Sequence, residues 1–402
     1  MNTSRIAERI RRIKPSPSTA AADRANELRR QGRSIVNLVV GEPDFDTPLA
    51  IRQAAARAIE AGATRYTPML GTLELRQAIA GKLARENGLT YAANEIIATN
   101  GAKSAIYAAL AATVNPGDEV IIPAPYWVSY PDMVLANEGV PVTLPCPERQ
   151  GFKLTAPQLE AAITPRTRWL LINSPSNPTG AAYTAGEYAA LAEVLRQHPQ
   201  VLVMTDDIYE HIRFDSQRTT HLLAAAPDLR DRVLAVNGVS KTYAMTGWRL
   251  GWAAGPRDIV EAMETLLSQS AGNCCAVSQA AAAAALNGDQ GFVPECVAIY
   301  RQRRDRMAQR INAISGLSCA VPDGAFYLYI NCAGLIGKAT PAGRRLDSDH
   351  DVVMYLLENA GVAVVAGVAY GLSPYFRISI ATSVETLMEG ADRIARAVAE
   401  LN

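Results

Sequence analysis

Short apolar runs alternating with helix-forming stretches set the limits on what this chain can fold into. "SIVNLVV" (34–40) reads as a strand ending at Gly41, and "LAIRQAAARAIEAG" (49–62) follows with helical spacing. "EIIATNGAKSAIYAALAATV" (95–114) reads as a strand, an Asn-Gly turn and an Ala-rich helix. "DEVIIPAP" (118–125), "RWLLINSPSNPTG" (168–180), "QVLVMTDD" (200–207) and "RVLAVNG" (232–238) add further strands, each expected to pass through polar or Gly/Pro residues into a helix. Such alternation predicts an α/β fold, with a mostly parallel sheet covered by helices on both faces. Ligands of such sheets bind beyond the carboxyl ends of the strands.

The pattern changes near residue 296. A long helix (296–314) precedes "AFYLYINC" (325–332), "VAVVAG" (362–367) and "YFRISIAT" (375–382), and a closing helix covers 383–401. Residues 333–351 read as a polar loop. With 402 residues the chain exceeds one small core. The expected division is an N-terminal segment 1–48, a large α/β domain 49–295 and a small α+β domain 296–402.

Charge and cysteine content narrow the function classes. Lys plus Arg and Asp plus Glu both number 39, so no basic excess points to nucleic acid or to an acidic membrane. "YRQRRDRMAQR" (300–310) is basic, but its spacing predicts a solvated helix face. Six cysteines form no CxxC pair, and the four histidines form no ligand cluster. Reduced thiols, no metal site and a cytoplasmic location are expected. No apolar run predicts a membrane span, and the N-terminal stretch lacks an apolar signal core.

Several residues stand where chemistry is possible. In "VNGVSKTYAMTGWRLGW" (236–252), Lys241 and Arg249 are isolated cations among small, hydroxyl and aromatic residues. Such a lysine either snorkels to the surface or serves as a buried nucleophilic amine. Asp206 ends a strand in "TDDIYEH", placed either to hold a protonated ring nitrogen or to cap a helix. Tyr209 follows it within a turn, and His211 reads as a bystander. "NGAKSA" (100–105) offers the Gly101, Ala102 and Lys103 backbone at a helix start, an anion site by geometry. Trp127 in "PYWVSYP" is a core residue or a stacking face. Asn177 in "NSPSNPTG" is a turn residue or an amide donor. Arg377 is the one charge in "YFRISIAT", suited to two-point carboxylate binding or to a structural pair.

Taken in order, "GEPDFDTP", "PYWVSYP", "SPSNPTG", "SKTYAMTGWRLG" and "FRISIATS" resemble the pyridoxal-phosphate-dependent aminotransferases of fold type I, class I. The likeness is to their bacterial aspartate aminotransferase (Iβ-like) branch and covers nearly the whole chain. It implies a large domain with a mostly parallel seven-stranded sheet, a smaller α+β domain, a homodimer and pyridoxal 5'-phosphate as cofactor. By that resemblance Lys241 is the Schiff-base lysine, Asp206 the partner of the pyridine nitrogen, and Tyr209 and Asn177 the partners of the ring oxygen. Trp127 is the stacking face. Ser240, Arg249 and the backbone of Gly101, Ala102 and Lys103 hold the phosphate, and Tyr66 reaches the phosphate in the neighbouring subunit. Arg377 binds the substrate α-carboxylate, helped by Trp127, Asn177 and the Gly41 backbone. Lys103, Ser16 and Ser18 meet a distal carboxylate.

The resemblance also implies the reaction, transfer of the amino group of L-aspartate to 2-oxoglutarate in two half-reactions. Aromatic amino acid or prephenate transamination is the alternative, and a lyase or decarboxylase on the same scaffold is a third. A ligand sensor joined to a DNA-binding domain is not expected. The chain departs from the family pattern at Ala102, Leu73, Cys274, Cys275, Ala366 and Val368. The stretches 268–279 and 362–371, which contain four of these, bear on substrate preference.

Overall fold

A computed structural model describes residues 5–215 and 220–402, apart from the side chain of Ser18. The strands are β1 (Val36–Asn37), β2 (Ile96–Thr99), β3 (Glu119–Ala124), β4 (Val140–Pro145), β5 (Thr167–Asn173), β6 (Leu202–Asp206), β7 (Val233–Gly238) and β8 (Gly251–Ala254). Beyond them come β9 (Ser318–Cys319), β10 (Tyr327–Asn331), β11 (Val362–Ala363), β12 (Val365–Ala366) and β13 (Tyr375–Ser379).

Seven strands form one sheet in the order β2-β8-β7-β6-β5-β3-β4. Strands β4, β3, β5, β6 and β7 are mutually parallel. Only β8 runs antiparallel, to β7 and to β2. The mostly parallel sheet expected from the sequence is present. Its strands β2, β6 and β7 are near-continuous apolar runs because helices cover both faces. Trp169 on β5 and Trp252 on β8 are fully buried in the two layers. A four-stranded sheet, β12-β13-β10-β9, forms the second core with the helices Phe292–Asn312 and Val384–Ala399.

Several expectations need correction. Only Val36 and Asn37 of "SIVNLVV" form a strand, and they pair in parallel with β11 rather than joining the large sheet. The edge strand β4 and the inner strand β8 were missed: β4 is partly exposed and β8 has only four residues. Asp206 is not at a sheet edge, because β6 lies between β5 and β7. No helix starts there either; residues 208–211 form turns, and so do residues 240–244 after β7. The long helix begins at Phe292, four residues before the expected start. The expected loop 333–351 contains a short 3-10 turn, Ala333–Leu335, and the start of the helix Asp349–Tyr355.

The basic stretch 300–310 is not a uniformly solvated face. Arg303 is buried and makes a two-point ion pair, 2.8 Å and 2.8 Å, with Asp44. That pair ties the long helix to the segment that carries Gly41. Among the described residues no helix is long and apolar enough to cross a membrane, and no cluster of His, Cys, Asp or Glu could hold a metal. All six cysteines are unpaired.

Candidate active site

The carboxyl ends of β5, β6 and β7 open into a cavity of about 420 Å3. Asn173 and Asp206 come from the first two strand ends, and Ser240 and Lys241 follow the third. Tyr327 and Arg377 reach in from β10 and β13 of the other sheet. Val39, Gly41 and Glu42 line the remaining wall. The cavity is therefore shared by both cores.

Lys241 lies deep in the cleft, with its Nζ donating to the Gly41 carbonyl at 2.5 Å. Burial lowers its pKa to about 8; the nearby Arg249 and Arg377 act in the same direction, while Glu42 and Asp206 oppose it. A lysine so placed holds far more free amine near neutral pH than an ordinary lysine, whose pKa is about 10.4. Asp206 is buried, and burial raises its carboxyl to about 6, with Asp207 adding to the rise. A 2.6 Å hydrogen bond from the Tyr130 hydroxyl opposes it. Such a carboxyl takes up a cationic partner readily, because a positive charge relieves its desolvation.

The helix Ala102–Thr113 starts at the cavity wall after Gly101, whose φ of 88° needs a glycine, and it has no side-chain cap. A Cβ on Gly101 would lie 2.5 Å from Arg249 Nη2. One on Gly251 would collide with the Ala102 amide. Two glycines thus let Arg249 and the helix start close together. Arg249 itself adopts φ 51° and donates to the Thr246 carbonyl at 2.8 Å. Ser240, Arg249 and the uncapped amides form an anion cradle.

Arg377 is buried under Tyr327, its guanidinium 4.3 Å from the ring centroid. Its Nη1 donates to Asn177 Oδ1 at 3.0 Å and its Nη2 to the Val39 carbonyl at 2.7 Å. Its Nε is buried without a partner among the described residues. Trp127 is half-buried, edge-on to Tyr130 at 5.3 Å between centroids, with Lys103 Nζ 4.8 Å from its ring. Burial and the Arg249 charge lower the Lys103 pKa.

Most of the residues selected from sequence therefore meet in one place: Gly41, Ala102, Lys103, Trp127, Asn177, Asp206, Tyr209, Ser240, Lys241, Arg249 and Arg377 line the cavity. Gly101 stands just behind Arg249. Tyr66 does not line it and is 97% exposed. Ser16 precedes the helix Pro17–Arg30 outside the cavity, and the Ser18 side chain lies outside the described residues. The Gly41 carbonyl serves Lys241, whereas Arg377 uses the Val39 carbonyl instead.

Sequence reasoning missed Tyr130, Tyr327 and Glu42. Tyr327 Oη lies 2.9 Å from Tyr209 Oη, and Thr246 Oγ1 donates to Glu42 at 2.8 Å. Only Glu42 carried a usable signal, a carboxylate directly after Gly41. The two tyrosines look like ordinary core residues in sequence.

An α/β sheet that sets an amine, a buried carboxylate, an anion cradle and an arginine around one cavity defines a pyridoxal-phosphate-dependent enzyme. The family model for aminotransferase class I and II matches residues 33–394, and the chain belongs to that family. It is 52% identical over 396 residues to an aspartate aminotransferase of Rhizobium meliloti (strain 1021), covering 98% of this chain and 97% of that one. It is also 52% identical over 389 residues to an aspartate/prephenate aminotransferase of Cereibacter sphaeroides, covering 97% of each chain. The crystal structure of the aspartate aminotransferase from Rhizobium meliloti superposes with a TM-score of 0.97 at 51% identity, covering 99% of this chain and 100% of that one. The Thermus thermophilus aspartate aminotransferase with maleate gives 0.92 at 39% identity, covering 98% and 100%.

Proposed function

We propose that the chain transfers the amino group of L-aspartate to 2-oxoglutarate, giving oxaloacetate and L-glutamate. The observation that carries this reading is that Lys241, Asp206 and Arg377 face one cavity of about 420 Å3. The names of relatives about 50% identical over the full length support aspartate as donor.

The cavity fits pyridoxal phosphate on the chemistry of its donors. Ser240, Arg249 and the Gly101–Lys103 backbone would hold the phosphate, Asp206 the ring nitrogen, Tyr209 and Asn177 the ring oxygen, and Trp127 the ring face. When bound, the cofactor supplies an electron sink for the carbanion left at Cα. Arg377 holds the α-carboxylate, for which its unpartnered Nε is a free donor. Lys241 Nζ, as free amine, takes the proton from Cα, and its lowered pKa keeps that form available. Asp206 stays ionised against the ring cation. Lys103 is the cation already in place for a distal carboxylate. Ser16 lies outside the cavity, so its part and that of Ser18 rest on resemblance alone.

We further propose the three-part division at residues 48/49 and 295/296 and a cytoplasmic homodimer. The β1–β11 pairing and the Asp44–Arg303 pair support an N-terminal segment packed with the small domain. Unpaired cysteines support a reducing compartment. Exposed Tyr66, Leu49, Ile59 and Leu73, all within residues 49–73, support a covered face that carries Tyr66 to a second subunit.

The test is a single-turnover comparison. The purified holoenzyme is mixed separately with aspartate, phenylalanine and prephenate's amino product, and the loss of cofactor absorbance is followed. Much faster reaction with aspartate is expected. Equal or faster reaction with either of the other two amino acids would replace this reading with the aromatic or prephenate one, which the Cereibacter sphaeroides relative's name favours.

A further inference from the structure

Behind the residues that face the cavity lies a cluster of polar groups with no part in the reaction described above. Lys82, with a side chain 1% exposed, forms an ion pair with Glu210, whose side chain is 5% exposed. Lys82 Nζ also donates to Asn87 Oδ1 at 2.7 Å, and Asn87 Nδ2 donates to Glu210 Oε2 at 2.7 Å. Asn237 Nδ2 donates to Glu210 Oε1, and Asn237 Oδ1 accepts from the Gly238 amide at 2.7 Å. His211 continues the chain of contacts, with Nε2 2.8 Å from Glu86 Oε2 and Nδ1 3.1 Å from Thr242 Oγ1.

The local fold is shaped for this. The helix Leu73–Lys82 passes into a π-helical turn, Leu83–Asn87, closed by Gly88 at φ 69°. On an α-helix, positions 82 and 87 would point about 140° apart at 3.6 residues per turn. The wider turn brings Lys82, Glu86 and Asn87 onto one side, toward the strand ends. Such turns concentrate at functional sites.

The cluster joins the two segments on which the reaction depends. Glu210 adjoins Tyr209, and Thr242 adjoins Lys241. The Glu210–Asn237 contact ties the turn after β6 to the end of β7, and the His211–Thr242 contact ties it to the turn after β7. Neither turn has a regular helix to hold it. A buried ion pair adds little net stability over apolar packing, but its geometry is strict.

We propose that Lys82, Glu210 and His211, with Asn87, Asn237 and Thr242, form a positioning frame that fixes Tyr209 relative to Lys241. This rests on the transaminase reading above. Glu210 stays ionised in this role: burial raises its pKa, but Lys82 and His211 outweigh burial and hold it below the usual carboxylate range. Arg377 is anchored elsewhere, by Asn177 and Val39, so substrate binding is separable from the frame.

The test compares three holoenzyme variants with the parent: Glu210→Gln, Lys82→Met/Glu210→Gln and Thr242→Val. The double variant removes both charges together, so no lone buried charge remains. Thr242→Val keeps side-chain shape and cuts only the link to His211. Readouts are kcat and KM for aspartate, visible circular dichroism of the bound cofactor, and melting temperature. The expected result for the double variant and Thr242→Val is a melting temperature near the parent's, unchanged KM, altered visible dichroism and kcat lower by about 10- to 100-fold, the scale of a 1 Å misplacement. If Glu210→Gln fails to fold, the other two variants decide. Parental kcat and dichroism in both, or a loss of kcat that only tracks melting temperature, would overturn the frame. Failure of the parent to transaminate would instead overturn the reading of its function, and the dichroism comparison would still test the frame.

Discussion

Tyr130 donates a 2.6 Å hydrogen bond to Asp206, and both groups are buried. The bond couples the helix Tyr130–Ala136 to the end of β6. It also opposes the burial that raises the Asp206 carboxyl to about 6.

Tyr130→Phe removes that donor and leaves Asp206 less satisfied. Its carboxyl should titrate above 6, and cofactor-free protein should lose about 1–3 kcal/mol near neutral pH, the cost of an unmade hydrogen bond to a buried charge. Denaturant titrations of parent and variant at several pH values check both effects.

Asp206 itself gives the apoprotein a pH-dependent stability. Its folded pKa is raised, from 3.8 to about 6, so the folded form binds the proton more tightly. The contribution is full below the unfolded pKa and is lost as pH rises through about 6. The span is roughly 3 kcal/mol at 1.36 kcal/mol per pKa unit. Asp206→Asn should flatten the stability curve between pH 4 and 6, and an unchanged slope would count against burial as the cause.

Glu42 raises the Lys241 pKa, whereas burial and Arg249 lower it to about 8. The rate at which apoenzyme takes up pyridoxal phosphate should therefore climb with pH around a midpoint near 8. Glu42→Gln should move that midpoint lower, because the carboxylate no longer favours the ammonium. Stopped-flow absorbance across pH 6–10 reads the midpoint directly.

Arg377 and Lys103 should separate under substitution. Arg377→Lys loses the two-point fork, and kcat/KM should fall about 100-fold for aspartate and phenylalanine alike, for a loss near 3 kcal/mol. Lys103→Gln should lower kcat/KM about 10- to 100-fold for aspartate only, a charge-assisted contact being worth roughly 1.5–3 kcal/mol. Steady-state kinetics with both amino acids distinguishes the two patterns.

Arg303→Met leaves the partly exposed Asp44 without its partner. A loss of about 1 kcal/mol in unfolding free energy is expected, because the Asp44 side chain is 29% exposed and water can take up its freed charge. Thermal melts of the variant and of Arg303→Met/Asp44→Asn show how much of the loss is the orphaned carboxylate.

Much of this fold could be read from local patterns. β2, β3, β5, β6 and β7 were continuous apolar runs ending in Gly, Asn, Pro or Asp, and they stand where that pattern placed them. β4 and β8 escaped because one is half-exposed and proline-bearing and the other is only four residues between glycine-rich turns. Arg303 looked solvated because helical spacing alone does not reveal that Asp44, 259 positions away, faces it.

The sequence by itself determined the strand–helix alternation, the Asn100–Gly101 turn that starts a helix at a strand end, and the isolated cations Lys241, Arg249 and Arg377. These follow from backbone preferences and periodicity within a few residues. The tertiary structure alone decided which groups touch. Lys241 meets Gly41 and Arg377 meets Asn177 across 200 positions each, and Tyr130 meets Asp206 across 76. It also decided protonation, because the pKa values of Asp206 and Lys241 depend chiefly on burial, and burial belongs to the assembled layers rather than to any stretch of chain.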